Sequence, residues 1–99
     1  MIFRQYISSA NFANTDILLT NLNKVFLTIK KHCQDVDAYD RQDCIEYLAN
    51  EAGLSRQLII VYLDILQHMK LISYSANEKE YILLTPLGKA TIKIPSTLN

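Results

Sequence analysis

The chain of 99 residues holds two glycines, two prolines, two cysteines and no tryptophan. So little glycine and proline argues against a turn-rich β sandwich and against a low-complexity linker. Cys33 and Cys44 alone cannot make a disulfide framework, and neither has a second cysteine at zinc-ligand spacing. No apolar run approaches the ~20 residues that span a bilayer. Met1-Ile2-Phe3-Arg4-Gln5-Tyr6 lacks the charged start and apolar stretch of a secretory signal. Sparse cysteine without such a signal points to a cytoplasmic, intracellular setting with reduced thiols. Excess charge is missing too. Ten basic residues balance ten acidic ones, so the formal net charge is zero. A strongly basic chain is the simplest footprint of nucleic-acid binding, and it is absent here.

What is present is apolar content in helical spacing. Hydrophobic residues make up 49% of the chain and charged ones 20%. That composition buries a core and does not suit a disordered tail. The length suits one domain. Residues 1–15, with Ile2, Phe3, Tyr6, Ile7 and Phe12, form an N-terminal arm or short element. From Asp16, Leu18, Leu19, Leu22, Val25, Phe26, Ile29 and Cys33 recur every three or four residues. This predicts a helix over 16–33. The polar stretch 34–40 is a loop, with a short extended piece near Val36–Tyr39. Asp40 caps a second helix from Arg41 to Glu51, buried through Cys44, Ile45, Leu48, Ala49 and Ala52 and stopped by Gly53. Ser55 caps a third helix, Arg56–Met69. Leu58, Ile59, Tyr62, Leu63, Ile65, Leu66 and Met69 fall in one arc of it; Ile60 and Val61 fall outside.

After Lys70 the period changes. Leu71–Ser75 and Glu80–Leu84 are β-prone runs around the polar cluster Ala76–Lys79, which predicts a hairpin. Thr85-Pro86 starts a last short helix reaching Ile94, closed by Pro95. Residues 16–94 thus form the domain, mainly α with a small β hairpin, and 95–99 a frayed tail.

Three local signatures carry a family resemblance. Leu48-Ala49 with Ala52-Gly53-Leu54-Ser55 resembles the turn before the recognition helix of winged helix-turn-helix domains. Leu63, Leu66 and Met69-Lys70-Leu71-Ile72 resemble the exit from that helix into the wing. Tyr81-Ile82-Leu83-Leu84-Thr85-Pro86-Leu87-Gly88 resembles the exit from the wing. The resemblance covers residues 16–94. It departs at Met69, where the family often has glycine, so the helix must end by another route. It implies a three-helix core, a two- or three-stranded wing and a short C-terminal helix.

The resemblance also implies a DNA-binding transcriptional regulator. Helix 55–69 would enter the major groove of double-stranded DNA, with wing 71–84 on the backbone. Ser55, Arg56, Gln57, Ile60 and Asp64 would face the groove; Asn77 and Lys79 would form the wing tip. The chemistry is suitable. Arg56 can bond guanine bidentately, Gln57 can bond adenine, and Ile60 can meet a thymine methyl. Ser55 and the helix N-terminus can hold a phosphate.

Charge counts against a lone copy. Asp40, Asp43, Glu46 and Glu51 outnumber Arg41 around the second helix, and the third helix with its wing is neutral. Each phosphate contact needs a donor, so a monomer offers few. A homodimer doubles them. Its surfaces are helix 16–33, the N-terminal arm and the C-terminal segment, and its recognition helices should lie about 34 Å apart. The alternative is a winged-helix module for protein–protein contact without DNA, docking through Ile60 and Val61.

Other chemistries lack support. His32, Cys33, Cys44 and His68 do not make the close ligand pairs of a zinc site, and both thiols fall on apolar helix faces. Asp35, Asp37 and Asp40 match a calcium loop in spacing alone, without its glycine or bidentate glutamate. No nucleophile elbow or phosphate-cradling glycine loop is present. The expectation is a non-enzymatic protein with no cofactor, no metal and no membrane segment.

Overall fold

The computed structural model describes residues 12–76 and 79–95. Among the described residues four helices and three strands follow in order: α1 (Phe12–Asp35), β1 (Tyr39–Asp40), α2 (Arg41–Glu51), α3 (Arg56–His68), β2 (Ile72–Ala76), β3 (Glu80–Leu84) and α4 (Pro86–Ala90). The architecture is mainly helical with a small three-stranded antiparallel sheet, ordered β1-β3-β2.

The three helices after α1 each start where a polar oxygen meets a free backbone amide. Asp40 Oδ1 accepts from Asp43 N at 3.0 Å, Ser55 Oγ from Leu58 N at 3.1 Å, and Thr85 Oγ1 from Gly88 N at 2.9 Å. These side chains satisfy amides that have no intrahelical partner. α2 stops at Ala52, and Gly53 follows in the left-handed region at φ +66°.

α3 ends without glycine. Lys70 N bonds Gln67 O at 3.0 Å and Leu71 N bonds Leu66 O at 3.1 Å. These are the two bonds of a Schellman motif, and Lys70 takes its left-handed position at φ 64°. Met69 itself stays helical as the C-cap. The departure from the family pattern is thus absorbed one residue later, by a lysine in a conformation that suits glycine.

The helices enclose one core. α1 contributes Leu22, Val25, Phe26 and Ile29; α2 contributes Cys44, Ile45 and Leu48; α3 contributes Ile59, Tyr62, Leu63 and Leu66. Tyr39, Leu71, Ile72, Ile82 and Ile94 close it from the strands and the C-terminal segment. β3 is the central strand. Tyr39 pairs with Ile82 on one side, and Tyr74 pairs with Ile82 on the other. The stacked rings of His32 and Tyr39, 3.6 Å between centroids, tie α1 to the edge strand.

Of the boundaries that differ from expectation, three bear on the fold. α1 begins at Phe12 rather than 16, so residues 12–15 belong to the helix and not to an arm. The extended piece before α2 is a paired strand, the third of the sheet. α4 stops at Ala90, not Ile94. Thr91 is extended, at ψ 119°, because the chain must turn to lay Ile94 against Asn23 of α1. Residues 1–11 of the expected arm at 1–15, and 96–99 of the expected tail at 95–99, lie outside the described residues. Among those described, no helix is long and apolar enough to cross a membrane.

Candidate nucleic-acid interface

The short connection from Ala52 to Ser55 sets α3 directly after α2, and the β2–β3 hairpin follows α3. The outward side of this unit carries most of the residues singled out in the sequence. Ser55, Arg56, Gln57 and Asp64 are all exposed on α3. Its first turn carries no acid. The Arg56 and Gln57 amides precede the first intrahelical bonds, so they are available to an anion.

Ile60 differs. It is half-buried and packs against the core, so it offers little to a groove. Val61 is 44% exposed and is the apolar residue that faces outward. The Ser55 oxygen accepts from Leu58 N as the cap of α3, and its O–H remains a donor. Asn77 lies outside the described residues. Lys79 is exposed at the start of the returning strand.

Two cations of this face, Arg56 and Lys79, face acids of α2 and its cap. Arg56 donates through both terminal nitrogens to Glu46 of α2, with Nη2 2.7 Å from Oε2. Gln42 Nε2 donates to the same carboxylate at 3.1 Å. The Arg56 bonds hold the Glu46 carboxyl below its ordinary range, and the same pair raises Arg56. Lys79 Nζ lies 3.9 Å from Asp40 Oδ2, the cap of α2. The charge count of the sequence showed a neutral surface but not this pairing. Glu46 and Arg56 are ten residues apart on different helices, a spacing no local pattern reveals.

The thiols belong to the interior. Cys44 is fully buried, and burial, with Cys33 nearby, pushes its thiol from 9.0 up to about 12. Cys33 is half-buried, and its thiol too is raised, chiefly by burial. Neither is poised as a nucleophile, which needs a lowered value. Among the described residues, no three metal-ligating side chains converge. His68 is exposed, its Nδ1 2.9 Å from the Asp64 carbonyl oxygen.

A groove of ≈ 530 Å³ lies on another side of the molecule, lined by Thr28, Lys31 and His32 of α1, Tyr39 of β1 and Tyr47 of α2 among others. Its polar groups share no common chemistry and are mostly exposed. No family model, curated protein or solved structure matches this chain.

Proposed function

We propose that this chain is a winged helix-turn-helix module that binds double-stranded DNA as a homodimer, with α3 in the major groove and the β2–β3 hairpin on the backbone. The supporting observation is the outward face of α3. A polar stripe of Arg56, Gln57 and Asp64 stands clear of the core; the first turn of α3 contributes no acid of its own, and Glu46 of α2 is the carboxylate that meets it. The helix start suits phosphate, and Arg56 and Gln57 suit purine edges. Apolar residues left outside the core support self-association. Ile17 and Leu27 of α1 are 58% and 45% exposed, and Ile92 is 83% exposed. These lie on the two described elements expected to meet a second copy.

Fluorescence anisotropy with a pool of random-sequence duplexes at low salt tests the proposal. Saturable binding that weakens in Arg56→Ala and Gln57→Ala supports it. No binding at about 50 mM salt, where phosphate contacts are strongest, overturns it.

One observation favours a protein-binding module instead. Both Arg56 and Lys79 are engaged by acids of α2 and its cap, which leaves exposed Val61 beside a neutral surface. In that case Val61→Asp abolishes self-association or partner capture while the fold persists. Val61 is the better probe than Ile60, whose replacement disturbs packing.

A further inference from the structure

We infer that Glu46 gates the DNA affinity of this face by holding Arg56 out of use. The inference rests on the DNA reading above. Among the described residues from the start of α3 to the end of β3, the lysines and arginines are Arg56, Lys70 and Lys79. Arg56 is the one at the α3 N-terminus, where a phosphate or a guanine edge would be met.

Arg56 spends both terminal nitrogens on Glu46. That end-on fork is one a guanidinium uses for two acceptors of a phosphate or for guanine O6 and N7. In the folded chain it therefore contributes neither net charge nor that pair of donors. To engage DNA through the fork, Arg56 must leave the carboxylate. The carboxylate then stands unpaired near the phosphates and repels them.

Exchange is feasible because the pair is open to solvent. The Arg56 and Glu46 side chains are 54% and 42% exposed. Such pairs are weak and screened by salt. Gln42 helps hold the Glu46 carboxylate on the α2 surface. Glu46 makes no side-chain bond to backbone among the described residues, so replacing it leaves the helix caps intact. Asp40, which faces Lys79, is different: it caps α2 and cannot be changed without loosening that helix.

The test compares wild type, Glu46→Gln, Asp35→Asn, and Arg56→Ala with and without Glu46→Gln, on random-sequence duplexes across a salt series. Asp35 is exposed at the end of α1, so Asp35→Asn makes the same change in net charge away from Arg56. Glu46→Gln should bind about three- to tenfold tighter at low salt, with the salt slope steeper by about 0.9, one added phosphate contact. Asp35→Asn should move affinity far less. Adding Arg56→Ala to Glu46→Gln should return affinity to about the wild-type level. If Glu46→Gln binds no tighter than Asp35→Asn, the gate is overturned while the DNA reading stands. If neither wild type nor Glu46→Gln binds at any salt, both are overturned.

Discussion

Asn23 holds Ile94 by both of its backbone groups. Asn23 Oδ1 accepts from Ile94 N at 2.8 Å, and Nδ2 donates to Ile94 O at 3.0 Å. The carboxamide acts as a strand edge, pairing one residue of the extended C-terminal segment. The Ile94 side chain is fully buried beneath it. Two helical turns further along α1, Lys30 donates to the Thr91 carbonyl. The segment after α4 is thus pinned to α1 at two points, and it closes the core.

Asn23→Ala should therefore destabilise the fold by about 2–3 kcal/mol. Two buried hydrogen bonds are lost, and the Ile94 backbone groups must find water or stay unpaired. Detaching the segment would expose Ile94 as well, at about 2 kcal/mol. Urea denaturation measures the loss. Limited proteolysis should show faster cleavage after residue 90 in the variant, and an unchanged cleavage pattern would contradict the clasp.

This clasp was not legible in the sequence. Asn23 sits among apolar residues of the α1 stripe, and nothing local distinguishes a buried asparagine with partners from an exposed one. The elements that were legible are those with local causes. Asp40, Ser55 and Thr85 are caps because each is followed by free amides, and all three make the expected bonds. The α3 arc was legible because the 3.6-residue period marks a buried stripe. Ile60 fell outside the arc but borders it, and packing drew it partly inward. The end of α4, the third strand and the Glu46–Arg56 pair depend on contacts between distant residues, which periodicity does not carry.

The buried thiol makes stability depend on alkaline pH. The unfolded chain ionises Cys44 near 9.0, whereas the folded chain holds the proton to about 12, because burial disfavours the thiolate. Between those values the unfolded state binds fewer protons, so stability falls as pH rises. Below about pH 9 the contribution is complete and flat. Tyr39, raised from 10.0 to about 12 chiefly by burial, adds to the upper part of the same window. The urea midpoint should stay level from neutral pH to about 9 and decline beyond it. In Cys44→Ala the decline should be shallower, from a starting stability lowered by about 1 kcal/mol by the lost packing. Equal declines in both proteins would assign the effect to other groups.

Gly88 marks a tight junction between α4 and the residues at the end of α3. Its N–H caps onto Thr85, whose own N–H bonds the Leu71 carbonyl at 3.1 Å. A Cβ at position 88 would run into that same Leu71 carbonyl oxygen and would crowd Leu84 Cδ2 at 3.2 Å. The oxygen is backbone, held by Thr85, and cannot swing away as a side chain can. Gly88→Ala should cost about 1–3 kcal/mol, the range of an overpacked core. A thermal melt reads this directly, and an unchanged midpoint would mean that α4 shifts freely on the sheet.

Among the described residues two adopt left-handed backbone, and they make opposite predictions. Gly53 ends α2 at φ +66° with no atom within 4 Å of where a Cβ would stand. Gly53→Ala therefore meets no clash, and the left-handed conformation alone should cost about 1 kcal/mol. Lys70 ends α3 at φ 64° and bears that cost already. Lys70→Gly removes it but gives the unfolded chain more freedom, which offsets part of the gain. The net expectation is a stabilisation of about 0.5 kcal/mol, seen as a higher urea midpoint at unchanged slope. The Schellman bonds run through backbone atoms, so the substitution leaves them in place. If Lys70→Gly instead destabilises the protein, the lysine side chain must contribute more than its strained backbone costs.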